Sequence, residues 1–338
     1  MNEARKPLRI GILGAANIAP RAMVYPAQAT GHIIAGVASR DLSRAESFAR
    51  QYQVESAYGS YQELIDDPEI DLIYNALHNG GHAPWNMIAM EAGKHVISEK
   101  PAASNAGEAS EVADVAKRTR AYYMEAFHYY YHPLTQRILD IIESGEIGEV
   151  TAVESRFFVP PPGPNDLRWN FDLAGGALMD IGCYSLHIQR MISQVVGEAE
   201  PEVLEATART SIADSRVDAA MDISLRLANG ATGLARFDME SEWDATLRIA
   251  GTAGVIVAPK FVVPSMDDRL FVTSFNGERV EHCGQLSSYT YQLLAFADAI
   301  DLAGIIDTDE DDAVAQAELM DASYLAAGLP LRPRFNIG

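Results

Sequence analysis

The sequence has 338 residues, about twice the size of a common single domain, so two domains sharing an interface are expected. With 48% apolar and 22% charged residues it reads as a compact globular chain rather than a disordered or fibrous one. Its 47 acidic and 26 basic residues give a formal charge of -21, a field that repels polyanions and argues against nucleic acid or an acidic membrane as partner.

Residues 1–7 are polar, and no apolar run approaches about 18 residues. The expectation is a cytoplasmic protein with neither export signal nor membrane span. Cys183 and Cys283 are too few for a disulfide scaffold and lack metal-ligand or redox spacing. No metal is expected, and a reducing compartment fits.

From residue 8 to about residue 127, short runs rich in Val and Ile alternate with helical patterns. This predicts an α/β fold, a doubly wound parallel sheet of the Rossmann type with its ligand crevice at the carboxyl ends of the strands. Strands are expected to begin at Leu8, His32, Asp71, Lys94 and Ala121, with helices such as 42–52 and 105–118 between them. After a helix near 133–143, strand-like runs follow one another without helices. A strand at 150–158 leads into a loop, 159–172, that carries four prolines, and then into a helix at 177–193. Strands are expected near 202–212, 219–227, 232–237, 246–250 and 255–258, and helices near 288–301 and 311–326. The Asn229-Gly230 pair is expected to supply the positive φ values of a hairpin turn, and the acidic run 309–312 to be a solvated helix start. Residues 1–127 are thus expected to bind the cofactor. Residues 128–338 are expected to form an α+β domain, with a large open, mostly antiparallel sheet, for substrate binding and oligomerisation.

The first strand runs through Gly11 to Gly14 and into Ala16, Asn17 and Ile18 at a helix start, where a dinucleotide pyrophosphate sits on backbone N–H groups. Gly14 takes the place of the tight-turn glycine. Ala16 stands where a second glycine is usual, and its Cβ would push the pyrophosphate outward or demand a wider loop. The next strand ends in Ser39 and Arg40, with Arg44 one turn into the following helix. These side chains suit a ribose 2′-phosphate, so NADP is expected over NAD. Asp41 keeps an alternative open: it is either the cap of that helix or, one residue out of register, a carboxylate on the ribose.

The strand from Lys94 runs into Glu99-Lys100-Pro101, which places a lysine at the crevice. Asp180, Tyr184 and His187 are spaced by four and three residues, so a helix aligns them on one face. The stretch 77–103 closely resembles the glucose-fructose oxidoreductase, inositol dehydrogenase and MocA family. The resemblance continues through Met124-Glu125-Ala126-Phe127, His132-Pro133, residues 144–148 and residues 175–182. Within that family the sequence is most similar to the branch of NADP-dependent xylose dehydrogenases and dimeric dihydrodiol dehydrogenases.

The resemblance implies a catalytic lysine at Lys100 and an active-site aspartate at Asp180. Many members carry histidine where this chain has Tyr184, whereas the dihydrodiol branch uses tyrosine there for proton transfer. Taking a hydride from an alcohol carbon requires a base for the hydroxyl proton. Tyr184 is the expected one, with Lys100 as the cation that lowers its pKa from about 10. Asp180 is expected to pair with Lys100 or to accept from a second substrate hydroxyl, and His187 either to do the same at the pocket wall or to be a satisfied structural histidine. Leu77, Asn79, His82, Glu99 and Lys100 are expected to line the nicotinamide end of the cofactor site as well. Tyr130 lies nearest the place where relatives hold an arginine, which argues against an anionic substrate. Arg168 and Trp169 are expected to offer a stacking face to a sugar or ring diol. The implied protein is a homodimer or homotetramer that transfers a hydride to or from a sugar, ketosugar or cyclic trans-diol. Two other readings stay open: a non-catalytic sensor of NADP(H), and an NAD-dependent glycosidase of the same family.

Overall fold

The computed structural model describes residues 6–337. Its first sheet contains β1 (Arg9–Leu13), β2 (Ile33–Ala38), β3 (Ser56–Tyr58), β4 (Leu72–Asn75), β5 (His95–Ser98) and β6 (Tyr123–Glu125). All six run parallel, in the order β3-β2-β1-β4-β5-β6. Crossovers are made by α1 (Tyr25–Thr30), α2 (Leu42–Tyr52), α3 (Tyr61–Ile65), α4 (His82–Glu91) and α5 (Ala106–Thr119). The strands are apolar throughout because both faces are covered: Ile10 and Ile12 enter one core, and Leu13 enters the other. Strand order reverses at β1, so the connections after β1 and β4 leave toward opposite faces and open a crevice between them.

The second sheet follows α6 (Pro133–Glu143). It contains β7 (Val150–Phe158), then α7 (Cys183–Gly197), then β8 (Glu202–Thr210), β9 (Asp218–Arg226), β10 (Thr232–Asp238), β11 (Leu247–Gly251), β12 (Val255–Ala258), β13 (Arg269–Ser274) and β14 (Gly277–His282). The order is β14-β13-β12-β11-β7-β10-β9-β8, and every neighbouring pair is antiparallel except β7 with β10. One face of this sheet carries α7, which is buried from Cys183 to Ser193. The fold is therefore the expected α/β sheet joined to an α+β domain with a large, mostly antiparallel sheet.

Three local expectations need correcting. Asn229 does not adopt a positive φ; only Gly230 does, while the Asn229 side chain accepts from Ala231 N and donates to Val150 O. The acidic run opens α9 (Glu310–Ala326) with Asp309 as its cap, yet Asp312 is not solvated. It lies inside, 2.8 Å from the buried Arg190 guanidinium. Finally, α8 (Ser288–Leu302) does not stay with the second sheet: its Tyr289, Leu293 and Phe296 complete the core formed by β1 and α1. The chain thus crosses back to the first domain late in the sequence. Among the described residues no helix is long and apolar enough to cross a membrane.

Candidate active site

A cleft of about 880 Å³ runs from the carboxyl ends of β1, β2, β4 and β5 to the start of α7 and the adjoining loops of the second domain. At one end, Gly14 holds φ +94 and donates its N–H to Ala38 O, which turns the chain sharply out of β1. A Cβ there would come 3.1 Å from Leu77 Cδ2. Ala16, Asn17 and Ile18 follow along the cleft floor. A π-helical turn, Pro20–Val24, with proline at its start, leads into α1.

Ser39, Arg40 and Arg44 line the outer part of this end, with Tyr61 beside them. Among the described residues neither arginine has a carboxylate within salt-bridge reach, although the chain is strongly acidic. The Asp41 carboxylate is already engaged as the cap of α2, accepting from Ser43 N at 3.0 Å and from Ser43 Oγ at 2.7 Å. Two cations outside any salt bridge, a hydroxyl and a glycine turn fit the phosphates of a dinucleotide.

At the other end the charges are tied together. Lys100 Nζ donates to Asp180 O at 2.5 Å and lies 3.6 Å from Asp180 Oδ1. Arg168 Nε donates to Asp180 Oδ2 at 2.7 Å. The same ammonium sits 5.2 Å from the centroid of the Tyr184 ring. Burial of Lys100 favours the neutral amine, but Cys183, Asp180 and Glu99 offset that, and the pKa lies above the usual ammonium value. Glu99 is buried and accepts from Tyr74 Oη at 2.6 Å; burial raises its pKa, with Lys100 opposing. His82 brackets the lysine corner, its ring nitrogens 2.7 Å from Pro101 O and 3.0 Å from Leu77 O. Burial pushes its pKa down to about 4, while the two carbonyl oxygens, both acceptors, oppose that by favouring the protonated ring.

Tyr184 is boxed by aromatic rings, with Phe127, Phe157 and Tyr129 edge-on at centroid distances of 5.5, 5.6 and 5.8 Å. Burial drives the phenol's pKa well above the ordinary tyrosine value. This corrects the expectation that Lys100 lowers it. The cation lies over the ring, 5.2 Å from its centroid, and burial among aromatic rings penalises a phenolate.

The pattern described as "Oxidoreductase family, NAD-binding Rossmann fold" matches residues 8–127, and the GFO/IDH/MocA C-terminal domain matches residues 135–257. The chain belongs to the GFO/IDH/MocA oxidoreductase family. One member, D-xylose 1-dehydrogenase (NADP(+)) 2 of Haloferax volcanii, is 34% identical over 95% of this chain and 97% of its own. Trans-1,2-dihydrobenzene-1,2-diol dehydrogenase of Mus musculus is 32% identical over 81% of this chain and 79% of its own. Among solved structures, a 3-ketoreductase from Actinomadura kijaniata in complex with NADP and TDP-benzene superposes with a TM-score of 0.86. It is 27% identical, over 95% of this chain and 98% of that one.

Several expected residues of this GFO/IDH/MocA chain lie away from the cleft. Gly11 is inside β1, packed against Leu64. His187 is wholly buried one turn behind Tyr184, stacked on Phe127 at 3.9 Å. Its Nδ1 lies 2.7 Å from Tyr129 Oη and its Nε2 3.3 Å from Asp312 Oδ2, so it is committed to the core. Tyr130 stands beside His187 rather than on the cleft, and Trp169 packs against the second domain's core. Sequence reasoning missed the apolar cleft-lining residues Phe157, Trp243 and Val262, and also Arg21, His128 and Tyr289. Only Arg21 carried a local signal, a cation at the first helix start.

Proposed function

We propose that this chain is an NADP-dependent oxidoreductase acting on a CH–OH or carbonyl carbon of a sugar, ketosugar or cyclic trans-diol. Tyr184 transfers the proton and Lys100 holds the reacting oxygen. NADP is preferred because Arg40 and Arg44 await a phosphate while Asp41 is engaged as a helix cap. The NADP named for the Haloferax and Actinomadura relatives supports the same choice.

The observation that carries the chemistry is the position of the Lys100 ammonium between the Asp180 carboxylate and the Tyr184 ring, on the wall of the family's cleft. The nicotinamide, when bound, supplies or accepts the hydride. The chain's own residues manage the proton and the oxygen. Lys100 neutralises charge developing on a carbonyl oxygen, and Asp180 with Arg168 fixes a neighbouring hydroxyl. Tyr184, held protonated by burial, is set up as the proton donor when a carbonyl is reduced. Polar groups together with the apolar Phe157, Trp243 and Val262 along the cleft suit a ring with hydroxyls on one edge and an apolar face.

A screen of aldoses, ketosugars and trans-diols with both cofactors, read at the nicotinamide absorbance, tests this reading. Turnover with NADP(H) is expected. Saturable NADP(H) binding with no turnover of any of them would point to the sensor instead. A cofactor that stays bound and unexchanged during hydrolysis of a glycoside would point to the glycosidase.

A further inference from the structure

Residues 330–337 follow α9 without regular structure, yet they make directed contacts with both halves of the cleft. Arg332 is wholly buried, and its Nη2 pairs with the equally buried Asp218 Oδ1 at 2.5 Å. Its Nε donates to Gly175 O at 2.6 Å. The other Asp218 oxygen accepts from Leu178 N at 2.6 Å, at the start of the helical segment that carries Asp180 and Tyr184. Gly176 holds φ +133 against this pair, and a Cβ there would fall 2.2 Å from Asp218 Oδ1. Gly176 therefore answers to the Asp218–Arg332 pair, whereas Gly175 is hemmed by the carbonyl oxygens of Arg168 and Asn170.

Three residues further on, Phe335 meets the first domain. Its ring lies edge-on to His78 at 4.7 Å, and its Cβ is 3.0 Å from where a Cβ on Gly80 would stand. The same loop reaches across the cleft, with Asn79 Nδ2 donating to Ala174 O at 2.9 Å. Asn105 Nδ2, just before α5, holds Arg332 O at 2.9 Å.

We propose that residues 330–337 form a strap that sets the cofactor-side loop 78–81 against the start of the Asp180–Tyr184 helix, with Arg332 and Phe335 as positioning residues. The strap touches none of the reacting groups. It acts by holding two loops from different domains in one arrangement, and misplacement by about 1 Å at a reacting centre can cost about 100-fold in rate. This rests on the reading of Asp180 and Tyr184 as the reacting end.

The test uses the full chain with Phe335→Ala, a half-buried position whose loss leaves the cores intact. On the substrate from the screen, kcat should fall about 10- to 100-fold while the NADPH Kd, read by nicotinamide fluorescence, moves less than about threefold. Phe335→Leu, which still fills the space beside Gly80, should recover most of the loss. Amide hydrogen exchange on the Ala variant should quicken at residues 78–81 and 174–178, a readout independent of turnover. A kcat within twofold of wild type, a loss matched by the unfolded fraction, or unchanged exchange at both loops would overturn the strap. If Phe335→Ala slows turnover but Tyr184→Phe does not, the strap stands and the proton-transfer assignment falls.

Discussion

The two ends of the cleft use charge in opposite ways. At the cofactor end Arg40 and Arg44 form no salt bridge among the described residues, whereas at the chemical end Lys100, Asp180 and Arg168 hold one another before any ligand arrives. Cations outside any salt bridge gain their ion pairing only when a phosphate comes, so they report on affinity and cofactor choice. Tied charges are already oriented, so their removal reports on rate.

The largest effect should come from the tied end. Lys100→Met removes the cation on the reacting oxygen and leaves Asp180 facing Arg168 alone. It should lower kcat by about 10²–10⁴-fold with little change in cofactor Kd. Equal losses in kcat and cofactor affinity, measured by steady-state kinetics and fluorescence titration, would erase the contrast between the ends.

Arg40→Ala comes next. Charge-assisted contacts are worth about 1.5–3 kcal/mol, so NADP binding should weaken about 10- to 150-fold while NAD binding barely moves. Asp41→Ala should cost about 1 kcal/mol of stability as a lost helix cap without changing the NADP to NAD ratio. Calorimetric titration of both cofactors decides this, and a shift of the ratio with Asp41 would return it to the ribose.

The aromatic lining should give a smaller change. Trp243→Ala removes a ring that lines the cleft and should raise the substrate KM about 3- to 10-fold, whereas Trp169→Ala, on the core side, should leave KM alone. Smallest of all in rate is His187→Gln. It breaks two buried contacts and should cost about 1–3 kcal/mol by denaturant melts, with kcat per folded molecule within about threefold of wild type.

The cofactor half was readable because its signals are local. Continuous apolar runs marked β1, β2, β4 and β5, and the glycine turn, Ser39 and Arg40 follow their strands directly. The short, half-buried β3 left no such pattern. In the second half, β13 escaped because the apolar Phe271 stands between the buried Leu270 and Val272 and hides their alternation, and β14 because it is charged and buries no residue. Trp243 reaches the cleft through long-range sheet pairing, which no local pattern encodes. For His187 the spacing left two readings open, because Tyr184 and His187 both lie within the α-helical α7, three residues apart. The cleft ends at Tyr184, and one turn later the same helix faces Asp312 and Arg190.

Tyr184 as proton donor is the account's central claim, and the pH profile of carbonyl reduction in wild type and Tyr184→Phe tests it most directly. A phenol raised by burial stays protonated until the pH passes its elevated pKa. Reduction by the wild type should therefore hold constant through neutrality and fall only above about pH 10, while alcohol oxidation, which needs the phenolate, should rise with pH. Tyr184→Phe should bind NADPH normally, lose about 10²–10⁴-fold in kcat and show no alkaline limb from this group. Near-normal turnover in Tyr184→Phe, or a wild-type limb close to neutrality that survives the substitution, would contradict the account.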